Sequence, residues 1–185
     1  MNDAGSDDLP TAPGFLTWLQ HLDHQIQLAS HSFGRSIPHG AAPDSIAKVL
    51  TQLGKPFSYL WLAAGLAFVD PPAAFAVFCL VLASEILNWV LKRRIRRPRP
   101  SPKSSTPVET IEGKFAFPSA HAQLSAAVWG WLAASAGSEA AWLPALAVIA
   151  AVGWSRLYLR HHYPTDIIAG WTLGAATAAA GLAIF

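Results

Sequence analysis

Apolar positions along this chain follow two regimes. From residue 15 to 33 they recur at helical spacing, at Phe15, Trp18, Leu19, Leu22, Ile26, Ala29 and Phe33, with Gln20, His21, Asp23, His24, Gln25 and Gln27 around the other side. The segment is too polar to cross a bilayer, so the pattern predicts an amphipathic helix lying in the membrane interface. The alternative is a degenerate first span packed against the other helices. Beyond Gly34, Pro38, Gly40 and Pro43, which break the pattern, apolar residues come in runs about as long as a hydrocarbon core is thick. Spans are expected at about 49–69, 73–91, 118–136, 140–159 and 164–185, with a tight turn at Asp70-Pro71-Pro72 between the first two. Their many Ala, Gly and Ser residues permit close helix contact. Glu85 and Asn88 fall inside the second run and should face other helices rather than lipid.

Composition agrees with the pattern. Hydrophobic residues make up 52% of the 185 residues and charged residues only 13%, about half the charged share of a typical soluble domain. The expected class is an all-α polytopic membrane helical bundle of five to six spans with an N-terminal amphipathic interfacial helix. Residues 1–13, with Asp3, Asp7, Asp8, Pro10 and Pro13, read as a disordered tail, and residues 14–185 as a single domain. The acidic, polar start does not resemble a signal peptide, so the spans themselves should direct insertion. The lone Cys79 lies in an apolar run and reads as a small core residue. The net charge of +2 does not suggest nucleic acid, because the basic residues crowd into residues 92–117 instead of covering a face.

Counting crossings brings the chemistry together. The second run ends at Lys92, the third begins at Ser119, the fourth ends near Arg156 and the fifth begins at Asp166. Alternating direction puts all four ends on one side of the membrane. Three short motifs meet there: Lys92, six residues, then Arg99-Pro100; Pro118-Ser119-Ala120-His121; and Ser155-Arg156, five residues, His162, three residues, Asp166. His162 and Asp166 are four apart, so a helix after Pro164 would let the carboxylate hold one ring nitrogen.

As chemistry, the ensemble describes a site for a tetrahedral oxyanion. Lys92, Arg99 and Arg156 supply positive charge, and arginine can donate paired hydrogen bonds to phosphate. Ser119 sits where an N-cap belongs, so its hydroxyl and the first-turn N–H groups of Ala120 and His121 would point at an anion. His162, oriented by Asp166, can attack phosphorus, and His121 can protonate the departing oxygen. Each piece also has a structural reading. The basic stretch could be a topogenic loop, Ser119 only a helix cap, and the Ser155 to Asp166 stretch an interfacial anchor. Arg93, Arg94, Arg96, Arg97 and Arg160 read as headgroup contacts, and His161 as solvated. His21, His24 and His31 give no usable ligand face for a metal.

In order and spacing, the three motifs resemble the signature of the type 2 phosphatidic acid phosphatase superfamily: Lys-x6-Arg-Pro, Pro-Ser-Gly-His and Ser-Arg-x5-His-x3-Asp. They read here KRRIRRPRP, PSAH and SRLYLRHHYPTD, over residues 92–166. The resemblance implies that Lys92, Arg99, Ser119, Ala120 and Arg156 bind phosphate, that His121 is the general acid, that His162 forms a phosphohistidine and that Asp166 orients it. It further implies that no metal or other cofactor is needed. Ala120 stands where the family has glycine, which is harmless in a regular first turn but strained at positive φ. Family members usually have six spans, and the amphipathic segment occupies the place of the extra one.

The expected activity is therefore hydrolysis of the terminal phosphate of a lipid phosphate or diphosphate, of the polyprenyl diphosphate, phosphatidylglycerol phosphate or phosphatidic acid type. The expected partners are that lipid and the bilayer, with no nucleic acid; the oligomeric state is left open. The expected location is a bacterial cell (inner) membrane. Positive-inside bias would put residues 92–103 in the cytoplasm, whereas the resemblance implies an extracytoplasmic site, and catalytic duty can override the topogenic one. Two other classes remain: a vanadium-dependent haloperoxidase-like enzyme, and a non-enzymatic membrane protein that holds anionic lipids.

Overall fold

The computed structural model describes residues 13–34, 41–100 and 114–185. Among them the elements are α1 (Pro13–Gly34), α2 (Ala41–Gln52), α3 (Pro56–Leu66), α4 (Pro71–Ile95), α5 (Ala120–Ser135), α6 (Trp142–Tyr158) and α7 (Pro164–Ile184), with a single 3-10 turn at Glu139–Ala141 before α6. Apart from Pro13, the expected tail lies outside the described residues.

The expected five to six spans are not what the helices provide. Among the described residues three segments are long and apolar enough to cross a bilayer: α4, Glu139–Tyr158 and α7. The expected span at 49–69 is two helices. Pro56 has no N–H to continue α2 but suits the first turn of α3. Gly54 lies between them at a place where a Cβ would stand 2.7 Å from Val152 Cγ1 and 2.9 Å from His121 Cβ. The chain turns there because another helix occupies the path. With 11 residues, α3 is only about 16 Å long at 1.5 Å per residue. The expected span at 118–136 became α5, 16 residues long and so about 24 Å. Its apolarity serves the interior instead of lipid: residues around the whole helix, including Gln123, Leu124, Ser125, Val128 and Trp131, are buried.

The bundle closes around α5. On one side α7 crosses it at glycines: a Cβ on Gly174 would lie 2.2 Å from the Gln123 carbonyl oxygen and 2.7 Å from Ala126 Cβ. On another side α4 contributes Val77, Leu80 and Val81 to a core shared with Tyr59 and Ala63 of α3 and Leu124, Val128 and Trp131 of α5. Asn88 faces other helices as expected. Its amide donates to Gln123 Oε1 at 2.9 Å and to the Pro118 carbonyl at 3.3 Å, and the Gln123 amide donates to the Ser84 carbonyl at 3.2 Å. The buried Asn88 and Gln123 amides are thereby satisfied, and the register of α4 on α5 is fixed. Cys79 is half-buried.

At one end, α4 continues to Ile95, so Lys92 lies in its last turn and not in a loop. Arg96 ends the helix in the left-handed region at φ 51°, its N–H on the Lys92 carbonyl. The backbone N–H of Ala116 then donates to the Arg97 carbonyl at 2.8 Å, bringing the two sides of the intervening loop together ahead of α5. The helix α1 rests on this end of the bundle, with the Phe15 ring edge-on to Phe117 at 5.9 Å. Leu19 is buried, as its place in the apolar stripe requires, but so is Asp23, which the pattern put on the water-facing side.

Replacing Gly174 with alanine should drive α7 off α5. The expected cost is about 1–3 kcal/mol, read as a lower midpoint of thermal unfolding in detergent. An unchanged midpoint would show that the two helices are free to part.

Candidate phosphate-binding and catalytic site

Two helix N-termini meet at this end. Ser119, the N-cap of α5, donates its backbone N–H to the Asp166 carbonyl oxygen in the first turn of α7 at 3.0 Å. That bond places the first turn of α5, with Ala120 and His121, beside the start of α7. The Ser119 side chain accepts only a long contact from the Ala122 N–H, 3.5 Å. Ala120 is buried in the regular first helical turn and is not among the described residues with positive φ, so the missing glycine brings no strain. His121 is half-buried, and the bare backbone of Gly54 lies against it, leaving no room for a side chain there.

The cations arrive from α4 and α6. Lys92 is 2% exposed and Arg156 3% exposed, unusual for such residues unless they serve a partner or a ligand. One Arg156 nitrogen, Nη1, donates to Thr51 Oγ1 of α2 at 2.6 Å. Two residues further along α6, the Tyr158 hydroxyl donates to Asp44 at 2.7 Å. These two bonds fasten α2 to the end of α6 as one wall of the site. Arg99 donates from Nη1 to the His161 carbonyl at 3.0 Å and lies 3.5 Å from His162 Nε2. Ser155, although part of the motif, turns its hydroxyl onto the Val152 carbonyl of its own helix at 2.7 Å. It serves packing.

His162 lies between α6 and α7 and is 4% exposed. Asp166 lies beside its ring: Oδ2 is 3.5 Å from Nδ1, an ion-pair distance, but Nδ1 makes no hydrogen bond. The same oxygen accepts the Tyr163 N–H at 2.8 Å, which closes the first turn of α7. Nε2, on the Arg99 side, is the nitrogen turned toward the cations. Burial holds the imidazole well below its ordinary 6.5, and the charges of Arg156, Arg99, Lys92 and His121 push it the same way. Its surroundings therefore favour the neutral imidazole.

Arg97 is not a headgroup contact. It is 2% exposed, with Nη1 donating to Asp166 Oδ1 and to Thr165 Oγ1, each at 2.7 Å, and Nη2 paired with Asp23. Its guanidinium also lies over the Tyr163 ring, 4.1 Å from the centroid. Of the other arginines expected at headgroups, Arg93, Arg94 and Arg160 are exposed and Arg96 is half-buried; Arg93 lies over the Trp89 ring, and Arg160 has a left-handed backbone at φ 53° after α6. Arg97 could not be told from its neighbours by type alone. Asp23 did leave a signal, since it sits one helical turn after Leu19 at the edge of the apolar stripe. Thr51 left none.

Buried cations, two helix N-termini and an imidazole gathered at one end of a helical bundle make a place suited to an anion with several oxygens. Residues 73–185 match the family model described as the PAP2 superfamily, and the chain belongs to that superfamily, the one its motifs resemble. It is 35% identical over 159 residues to a decaprenylphosphoryl-5-phosphoribose phosphatase of Mycolicibacterium smegmatis, covering 85% of this chain and 72% of the relative. It is 31% identical over 123 residues to phosphatidylglycerophosphatase B of Bacillus subtilis, covering 61% of this chain and 59% of that protein. The fold matches the crystal structure of a transmembrane PAP2 type phosphatidylglycerolphosphate phosphatase from Bacillus subtilis with a TM-score of 0.69 at 25% identity. The match covers 90% of this chain and 85% of that one.

Substituting Thr51 with valine removes the acceptor that steadies Arg156. A hydrogen bond to a charged group is worth about 1.5–3 kcal/mol, so affinity for inorganic phosphate should fall roughly tenfold, as measured by competition against a lipid substrate. Unaltered phosphate affinity would exclude Arg156 from the anion site.

Proposed function

We propose that this protein is an integral membrane lipid phosphatase that hydrolyses the terminal phosphate of a lipid phosphate or diphosphate through a phosphohistidine intermediate. The observation that carries the reading is the buried His162, with Arg99 Nη1 3.5 Å from its Nε2 and Asp166 Oδ2 3.5 Å from its Nδ1, beside the buried Lys92 and Arg156. Both relatives are named as phosphatases whose named substrates carry a lipid and a terminal phosphate, and the same chemistry suits this site. The apolar surface of α4, Glu139–Tyr158 and α7 keeps the substrate's hydrocarbon in the bilayer while its headgroup enters the cup.

The reaction runs in two displacements. His162 Nε2 gives its lone pair to phosphorus as the bond from phosphorus to the lipid oxygen breaks, and His121 passes a proton to that oxygen. Asp166 holds the Nδ1 proton while the ring acquires charge. Lys92, Arg99, Arg156 and the first-turn N–H groups of α5 meet the charge on the equatorial oxygens. In the second step water attacks phosphorus, His121 takes its proton, and the bond to nitrogen breaks to release phosphate. Residues 14–185 act as one domain, α1, on which Phe15 and Trp18 are exposed, lies along the interface, and the site faces the extracytoplasmic side of a bacterial cell membrane.

A His162→Ala variant should lose phosphate release and labelling by radioactive substrate phosphate, across a panel of polyprenyl diphosphate, phosphatidylglycerol phosphate and phosphatidic acid with chelator present. Wild-type turnover by that variant would refute the mechanism. Because the imidazole is held below 6.5 and must be neutral to attack, kcat/KM should stay high as pH falls through 6.5 and decline only below it. A decline centred above that value would contradict the surroundings assigned to His162.

A further inference from the structure

We propose that Asp23, on α1, is a positioning residue for the reaction: with Arg97 it sets the net charge and the direction of the carboxylate that holds His162. The inference rests on His162 being the nucleophile.

Asp23, Arg97, Thr165 and Asp166 form one buried cluster drawn from three distant parts of the chain. They are 3%, 2%, 4% and 0% exposed. Asp23 Oδ1 accepts the Thr165 backbone N–H at 3.0 Å, and Oδ2 accepts the Thr165 hydroxyl at 3.0 Å. It thereby caps an N–H in the first turn of α7 from another helix, a task normally left to the residue preceding the helix. Arg97 bridges Asp23 to Asp166 Oδ1, leaving Oδ2 for the Tyr163 N–H and the His162 ring. Each oxygen of Asp166 has an assigned direction, and Arg97 enforces it.

The charges explain why two acids are present. An Arg97–Asp166 pair alone would be neutral, and a neutral pair attracts a forming imidazolium weakly. Adding Asp23 leaves one net negative charge in a dry site, where such a charge acts strongly. From the other side His162 faces Lys92 of α4, Arg99 just beyond it, His121 of α5 and Arg156 of α6. All of these oppose positive charge on the ring, yet attack on phosphorus puts positive charge there. Asp166, and Asp23 through Arg97, are the anions set against them. Burying an ion cluster costs more than a well-packed apolar contact would, so α1 could have docked more stably without it.

Asp23→Asn keeps the shape and cancels the net charge. We expect kcat to fall on the order of tenfold, with KM and inhibition by inorganic phosphate within about twofold of the parent, because the phosphate cup is untouched. The acidic limb of kcat/KM should move to lower pH, since losing a negative charge makes His162 harder to protonate. Arg97→Gln alters the charge in the opposite sense and should move that limb to higher pH, whereas Asp23→Glu should recover most of kcat. Rates are taken per active site from the amplitude of phosphoenzyme formation, so misfolded protein does not count. Should Arg97→Gln fail to fold, the Asn and Glu variants decide the matter. Parental kcat and pH profile in Asp23→Asn would overturn the inference, as would limb shifts of the same sign in both variants. If His162→Ala is inactive and Asp23→Asn behaves as the parent, this inference alone fails; if His162→Ala turns over, the reading beneath it fails.

Discussion

The backbone hydrogen bond from Ser119 to Asp166, 3.0 Å, joins the starts of two helices, and the rest of the site follows from that juncture. A helix N-terminus carries partial positive charge and unsatisfied N–H groups. Bringing two together, then adding Lys92, Arg99 and Arg156, concentrates positive charge where water is largely excluded. Such an arrangement is unfavourable until an anion with several acceptor oxygens enters it. Phosphate is an anion of that kind. The cost of holding the cations together is met by packing elsewhere: α7 lies so close on α5 that Gly174 has no space for a Cβ.

How much of this was legible in the sequence depends on whether a residue's partner is local. His162 and Asp166 are four apart, and Ser119 starts a helix after a proline, so their geometry could be read from spacing. Lys92 and Arg156 lie at helix ends, and alternating crossings put them together. Arg97 was different: its environment is made by Asp23, 74 residues earlier, and Asp166, 69 residues later. No local pattern separates it from Arg93, Arg94 and Arg96. The left-handed turn at Arg96 swings the next side chain inward, and that turn is made by an arginine where glycine would have been the visible sign. Thr51 was hidden for the same reason, its partner Arg156 being 105 residues away.

The span count failed on a different ambiguity. An apolar run can be matched to lipid or to protein, and hydropathy does not distinguish the two. In α5 nearly every face meets another helix, so its apolar residues build the centre of the bundle. In the stretch that yields α2 and α3, the continuous run concealed a break, because Gly54 and Pro56 have little effect on mean hydropathy but a decisive effect on path. The break is functional as well as steric. It sends α2 across the top of α6, where Thr51 and Asp44 reach Arg156 and Tyr158, and it lays the Gly54 backbone against His121. A straight helix through residues 49–69 would have left Arg156 without its acceptor and His121 without a wall.

The helix α1 shows how a segment peripheral by pattern can be central by charge. Its apolar residues alone would permit a loose association with either bilayer or bundle, since Leu19 and Phe15 are satisfied by any apolar surface. Asp23 removes that freedom. A carboxylate that accepts two bonds from Thr165 and pairs with Arg97 has one address, and leaving it would strand three polar groups out of water. The specificity of docking and the setting of the Asp166 carboxylate are thus one interaction viewed from two sides. A helix fixed in this way is held in one frame with the first turn of α7 and, through Arg97 and Asp166, with the His162 imidazole.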